Sequence, residues 1–259
     1  MLIDTHAHLN FKPFNKDWER AIKRAFDAGV KGIINVGSNL ATSKKAVEIA
    51  ENYGKGIYAA VGLHPIEVDR EDFDEPAFLG LAQNPKVVAV GETGLDYFHR
   101  SSREKQKEVF KKLVKIANTV KKPVILHSRE SDDDLLALLD KKEYQVEASP
   151  RGVGHCVGRD LETAQKFLNL GFYLSFTGNI TYNVGAKKEE MLKKVPLEKI
   201  MVETDCPYLA PQSRRGKRNE PAYVVEVAQK IAKIKGISLE ELGRITTENA
   251  KNLFRLKES

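Results

Sequence analysis

The sequence predicts a parallel (β/α)8 barrel, on three observations. Short apolar or β-branched runs alternate with segments of helical period along the whole chain. Most of those runs are continuously hydrophobic (VVAV, PVIL, IMV) rather than alternating, as strands covered on both faces are. Eight runs in 259 residues give about 32 residues per unit, close to the ~30 of a βαβ repeat, and a chain near that length suits eight units closed into one barrel. A doubly wound open sheet is the competing arrangement. No linker, low-complexity run or internal repeat divides the chain, so residues 1–259 are expected to form a single domain.

In chain order, strands are expected at residues 2–5, 32–36, 57–62, 86–91, 123–127, 152–155, 172–176 and 200–203. Helical period marks residues 18–28, 41–53, 104–120 and 161–170 between them. Gly29, Gly54 and Gly171 stand where helices stop. Asp132, Asp133 and Asp134 follow Ser131 at a helix start, where carboxylates meet the positive end of the dipole, so they read as capping and not as a metal site. After the last strand come a long irregular stretch, 206–219, and C-terminal helices at 222–235 and 238–254. Long loops in compact domains tend to carry function.

Composition narrows the functional classes. With 41% hydrophobic and 30% charged residues the chain folds, and no run approaches the ~20 apolar residues of a membrane span. Two cysteines, Cys156 and Cys206, are too few for a disulfide framework, and the polar N-terminal sequence has no signal-peptide core. A cytoplasmic protein is expected, with no membrane association and no required protein partner. Each cysteine adjoins a candidate ligand on a strand end, so its thiol should face the other way. The net charge of +6 permits a polyanionic partner without demanding one. One cluster departs from the scattered pattern: Arg214, Arg215, Lys217 and Arg218 in SRRGKRN. Gly152-Val-Gly154 begins like a dinucleotide fingerprint, but Val157 fills the third position and no P-loop occurs, so a nucleotide cofactor is disfavoured.

On this scaffold the chemistry-bearing residues fall at strand C-terminal ends, where barrel active sites assemble. His6 and His8 close the first strand, two apart and on one side. His64 closes the third, Glu92 the fourth, His127 the fifth and His155 the sixth; Glu203 and Asp205 close the last, again two apart. A single strand-end histidine is ordinarily a hydrogen-bonded polar residue, but recurrence at five strand ends requires an independent accident at each. Four of the six histidines with Glu92 and Asp205 make six nitrogen and oxygen donors suited to Zn²⁺, Mn²⁺, Mg²⁺ or Fe²⁺. Six donors exceed what one open catalytic ion needs, so two divalent ions sharing Glu92 are expected.

The motifs DTHAHL, VGLHP, VGETGLDY, HSRE, HC, VETDCPYLAP and RGKRNEP, in this order, resemble the TatD family of metal-dependent hydrolases, which are amidohydrolase-type barrels. The resemblance implies one metal held by His6, His8, Glu92 and Asp205, and another by Glu92, His127 and His155. It also implies deoxyribonuclease activity, often exonucleolytic, with some members hydrolysing D-aminoacyl-tRNA esters. His64 would meet a substrate phosphate, as would Arg129, two past His127, and the loop cations Arg215 and Arg218. Asp205 is the expected general base, and Glu203 is expected to orient a ligand or join a third site. His99 is expected to be an exposed loop residue. Two positions depart from the family pattern: Val157, where an aromatic is common, and Ser131, where alanine is common.

The expected function is therefore two-metal hydrolysis of a phosphodiester, most readily DNA, with ester hydrolysis as the enzymatic alternative. A nucleic-acid-binding module around a structural metal fits less well. Structural zinc sites are closed, four-ligand and often cysteine-rich, unlike this set.

Overall fold

In the computed structural model, which describes residues 1–156, 160–182 and 185–256, eight parallel strands pair in sequence order. They are β1 (Leu2–Ala7), β2 (Val30–Val36), β3 (Ile57–Val61), β4 (Val87–Asp96), β5 (Val124–Arg129), β6 (Gly152–Gly154), β7 (Phe172–Phe176) and β8 (Ile200–Val202). The seam between β8 and β1 is closed just beyond β8. There the Asp205 amide donates to the His6 carbonyl and the His8 amide to the Cys206 carbonyl, each at 2.8 Å. The barrel expectation holds, and the open-sheet alternative falls.

Helices α1 (Trp18–Asp27), α2 (Leu40–Tyr53), α4 (Arg103–Val120), α6 (Leu161–Asn169), α8 (Val224–Lys235) and α9 (Leu239–Phe254) lie where helical period placed them. Three others, α3 (Glu75–Ala82), α5 (Asp132–Leu139) and α7 (Gly185–Lys194), are not marked by helical period; α7 buries only Met191 and Leu192, too few to show one. The start of α3 is nonetheless written locally. Asp74 accepts from the Ala77 amide at 3.0 Å, and Pro76 follows in the first turn. The three aspartates of α5 occupy its first turn, as the capping reading required. Ser131 is buried and donates to the Leu95 carbonyl at 2.8 Å, tying this helix to β4. Val157 lies outside the described residues.

Side chains from the strands divide between two cores. Leu2, Val30, Ile33, Val90, Val124 and Leu174 pack outward against the helices. Ile3, Ile34, Ala60, Ile125, Val153, Tyr173 and Met201 fill the barrel interior, plugged from α9 by Leu253 and Phe254. Burying an aliphatic side chain of this kind contributes roughly 1.5–3 kcal/mol, so the interior is a packed floor and not a channel. Above that floor, toward the strand C-termini, the interior turns polar.

Candidate metal centre

Alternation along the strands explains why the polar residues converge. Ile125, Val153 and Met201 point into the barrel, and two residues on stand His127, His155 and Glu203, with Asp205 two further. On β1 and β4 simple alternation fails. Register shifts between Asp4 and Ala7, and between Val90 and Thr93, re-aim the following residues so that His6, His8 and Glu92 face inward. Gly94 permits the close passage of β4 past β5. Its φ is +142°, and a Cβ there would lie 2.1 Å from the His127 carbonyl oxygen.

The donor atoms form two groups that share Glu92. In the first, His6 Nε2 lies 3.2 Å from His8 Nε2, 3.4 Å from Glu92 Oε2 and 3.8 Å from Asp205 Oδ1. His8 Nε2 lies 3.3 Å from Asp205 Oδ1 and 3.9 Å from Glu92 Oε2. Donors held about 2.1 Å from one ion in tetrahedral array sit ~3.4 Å apart, so this group fits a single divalent ion. In the second, Glu92 Oε1 lies 2.7 Å from His127 Nδ1 and 3.7 Å from His155 Nε2. One carboxylate oxygen thus faces each group.

Outer hydrogen bonds present bare nitrogens to these sites. His8 Nδ1 donates to the Val36 carbonyl at 2.7 Å, which leaves Nε2 as an acceptor. His127 Nε2 lies 3.2 Å from Asp96 Oδ2, freeing Nδ1 toward Glu92. Asp96 is itself fixed by the Phe98 and His99 amides at 3.0 and 2.9 Å, and by His99 Nδ1 at 2.9 Å. His155 Nδ1 lies 2.8 Å from Glu203 Oε1, within ion-pair reach but off the axis of a good hydrogen bond. Buried Glu203 also accepts from Ser175 Oγ at 2.5 Å and from the Cys156 amide at 3.0 Å.

The electrostatics ask for positive charge. Burial alone would raise the Glu92 carboxyl, yet His64, His155 and His6 outweigh it and hold it well below the usual carboxylate range. Burial likewise opposes ionisation of Asp205, and His8, His155 and His6 overcome it. Burial drives His6 toward the neutral form, with His155 adding to the effect, while its Nδ1 is left without a hydrogen-bond partner. His155 resists burial and is pushed up by Glu203 and Glu92. Burial is outweighed at His127 as well, which Asp96 and Glu92 push up. Carboxylates kept ionised beside imidazoles that hold protons in the absence of metal are a donor set a divalent cation takes up, displacing those protons as it binds.

Asp205 is carried in a left-handed turn, φ +55°, that an aspartate tolerates better than most residues. Its neighbours hold that turn. Asp4 accepts from the Thr204 amide and hydroxyl at 2.8 and 2.6 Å, and Asn219 Nδ2 donates to the Thr204 and Tyr208 carbonyls at 2.8 and 2.6 Å. Sequence reasoning missed both supports, because neither lies near Asp205 on its own strand.

The remaining expected residues divide. His64 comes among the donors, with Nε2 3.1 Å from His127 Nδ1 and 3.5 Å from Glu92 Oε1. Its Nδ1 accepts from the Ile66 amide at 3.2 Å, so in the neutral ring Nε2 carries the proton and is a donor, not a metal ligand. The Arg129 guanidinium stacks 3.9 Å from the centre of the Phe98 ring. Arg215 lies over Tyr182 at 5.1 Å, and among the described residues it has no carboxylate partner. Arg218 departs from expectation. It forks onto Asp17 at 2.7 and 2.8 Å, donates to the Pro13 carbonyl and stacks on Phe14, so its guanidinium serves the fold. His99 is 45% exposed, as expected, but is paired with Asp96. Both thiols are raised by burial, and Cys156 Sγ lies against Thr177 and Asn179.

A closed parallel barrel with these donors at its mouth defines a metal-dependent hydrolase. The chain belongs to the TatD family: the model for TatD related DNase matches residues 3–255. It is 43% identical over 258 residues to an uncharacterized metal-dependent hydrolase, YabD, of Bacillus subtilis (strain 168), covering 99% of this chain and 100% of that one. It is 32% identical over 262 residues to a Salmonella typhimurium protein named 3'-5' ssDNA/RNA exonuclease TatD, covering 98% and 99% of the two chains. The crystal structure of YJJV, a TatD homologue from Escherichia coli K12, superposes with a TM-score of 0.89 at 32% identity, covering 99% of this chain and 98% of that one.

Proposed function

We propose that this hydrolase cleaves phosphodiester bonds in nucleic acid, DNA foremost, with two divalent ions, Mg²⁺, Mn²⁺ or Zn²⁺, held at the barrel mouth. The observation that carries the reading is the divided Glu92 carboxylate, one oxygen toward His6 and His8 and the other toward His127 and His155. The exonuclease name of the Salmonella relative supports it. His6, His8, Glu92 and Asp205 would hold one ion, and Glu92, His127 and His155 the other. Such a pair lowers the pKa of an attacking water and neutralises phosphoryl charge.

The chain's own residues supply the rest. Asp205 is the base: its side chain is 14% exposed where Glu92 is 4%, so it is the ionised carboxylate open to the mouth. His64 Nε2–H donates to a phosphoryl oxygen. Glu203 and Asp96 hold the rings of His155 and His127 in place. Arg215 and Lys217 draw the backbone toward the site. The reading places this activity on nucleic acid of the cytoplasm; among the described residues no helix is long and apolar enough to cross a membrane.

The test is turnover of single-stranded DNA, duplex DNA and charged tRNA, each with and without chelator. Chelator-sensitive cleavage of a DNA strand is the expected result. Release of amino acid from charged tRNA without strand cleavage would replace the reading with ester hydrolysis.

A further inference from the structure

Among the described residues only three large apolar side chains are exposed: Met1, Phe98 at 53% and Tyr208 at 56%. The last two both stand at the barrel mouth. Exposed aromatic rings cost solubility, and the pair flanks the metal centre from opposite sides. Phe98 follows β4, beside β5; Tyr208 follows β8, beside β1; with eight strands in sequence order these positions lie across the barrel from each other.

The backbone beside Tyr208 is one hydrogen bond from the donor set, and that beside Phe98 is two, through Asp96. The Tyr208 amide donates to the Asp205 carbonyl at 2.9 Å. The Phe98 amide donates to Asp96 Oδ1, whose other oxygen faces His127. Both rings are also braced. Phe11 stacks on His8 at 4.2 Å and meets Tyr208 edge-on at 6.4 Å. The Arg129 guanidinium covers one side of Phe98 and leaves the ring half-exposed.

We propose that Tyr208 and Phe98 are stacking platforms for the two nucleobases that flank the scissile phosphate. The proposal rests on the nuclease reading and names two base-contacting residues for an unpaired strand, the kind of substrate in the Salmonella relative's name, held with little sequence preference. A phosphate centred on Glu92 sends its two sugars toward opposite rims, where the two rings stand. Bases can reach them only if splayed apart, which a paired duplex forbids. Every base has a π-face, so stacking selects for single strands and not for sequence.

The experiment measures KM and kcat on a short single strand and on matched strands carrying abasic sites on either side of the cleaved bond, with the metal-loaded enzyme. Removing one base, or making Tyr208→Ala or Phe98→Ala, should raise KM about 5- to 150-fold, the range of one lost base–aromatic stack. The two changes should not add: on the strand lacking the matching base, variant and wild type should have equal KM. Tyr208→Phe and Phe98→Trp should restore wild-type values, and 2-aminopurine at those positions should be quenched by wild type and not by the alanine variants. Strand cleavage with KM unchanged in both alanine variants, or raised equally on abasic strands, overturns the platforms alone. No strand cleavage by wild type overturns the nuclease reading together with them.

Discussion

Glutamine in place of Glu203 isolates the charge behind His155. The side chain accepts from Ser175 Oγ and the Cys156 amide, and Oε1 faces His155 Nδ1 at 2.8 Å. In Glu203→Gln the carbonyl oxygen can keep the amide and the imidazole. The new NH₂ meets Ser175 Oγ, whose hydroxyl turns to the Gly154 carbonyl 3.5 Å away. The second N–H of the new amide has no partner there, which costs about 1–3 kcal/mol, so the variant should fold with a lowered Tm. What disappears beside His155 is the carboxylate charge within ion-pair reach, about 1–1.5 kcal/mol as the difference between a charged and a neutral partner. That corresponds to roughly tenfold in metal affinity, at the low end of the 10–100-fold typical for groups that orient a ligand. A competition titration with a chelating dye and Mn²⁺ or Zn²⁺ should resolve two sites in wild type and show one of them weakened about tenfold in the variant. The same carboxylate raises the His155 pKa, so protons should compete with the ion up to a higher pH in wild type than in the variant. Unchanged affinity at both sites, in a variant that is folded at the temperature of the titration, would refute the reasoning.

The other carboxylates should separate by stoichiometry in the same titration: Glu92→Gln should lose both tight sites, Asp205→Asn only one. Asparagine tolerates the left-handed turn at position 205, so Asp205→Asn should fold while kcat falls on the order of 10²–10⁴; wild-type turnover would exclude Asp205 as base. Replacing Arg215 and Lys217 with alanine should flatten the salt dependence of single-strand binding by about 0.7 for each phosphate no longer neutralised, while parallel slopes would return both to solvated surface charge. Arg218→Gln should leave that slope alone and lower Tm by about 2–8 °C, from ~1–2 kcal/mol of partly exposed pairing and stacking. Hydrogen bonds from Arg218 hold the Asp17 carboxyl below its ordinary value of 3.8, so the pair's stabilisation is present above that pH and lost as pH falls through the lowered value. A melting difference between Arg218→Gln and wild type should therefore narrow in acid, and a difference constant down to strongly acidic pH would assign the effect to packing on Phe14.

How much of this was legible in the sequence depended on whether a residue's role was set by its own strand or by a distant one. Six of the eight apolar runs ended in histidine or carboxylate, and strand polarity alone brought those ends to one mouth. Even there the inward aim of His6, His8 and Glu92 rests on register shifts in β1 and β4, which only the neighbouring strands impose. Asp96 stands four past Glu92, but its pairing with His127 is not readable there, because β4 runs on to Asp96 and pairs it with Arg129 of β5. His64 was expected to meet substrate on the family resemblance alone; what the sequence could not give is the Ile66 amide on its Nδ1, which leaves the proton of the neutral ring on Nε2.

The cationic loop was the least legible part. Arg215 and Arg218 sit three residues apart in one charged run, and nothing local distinguishes them. Asp17 does: it lies some 200 residues earlier and takes both arms of Arg218. A guanidinium already forked onto a carboxylate has few donors left for a phosphate, and taking it away would leave Asp17 only the longer contact to Arg24 at 3.4 Å. Among the described residues Arg215 is held only by the face of Tyr182, with no partner for its guanidinium N–H groups. If the loop captures a nucleic-acid backbone, the salt slope should therefore follow Arg215 and Lys217, and the melting temperature should follow Arg218. The two measurements on one set of variants divide a single charged run into its binding half and its folding half.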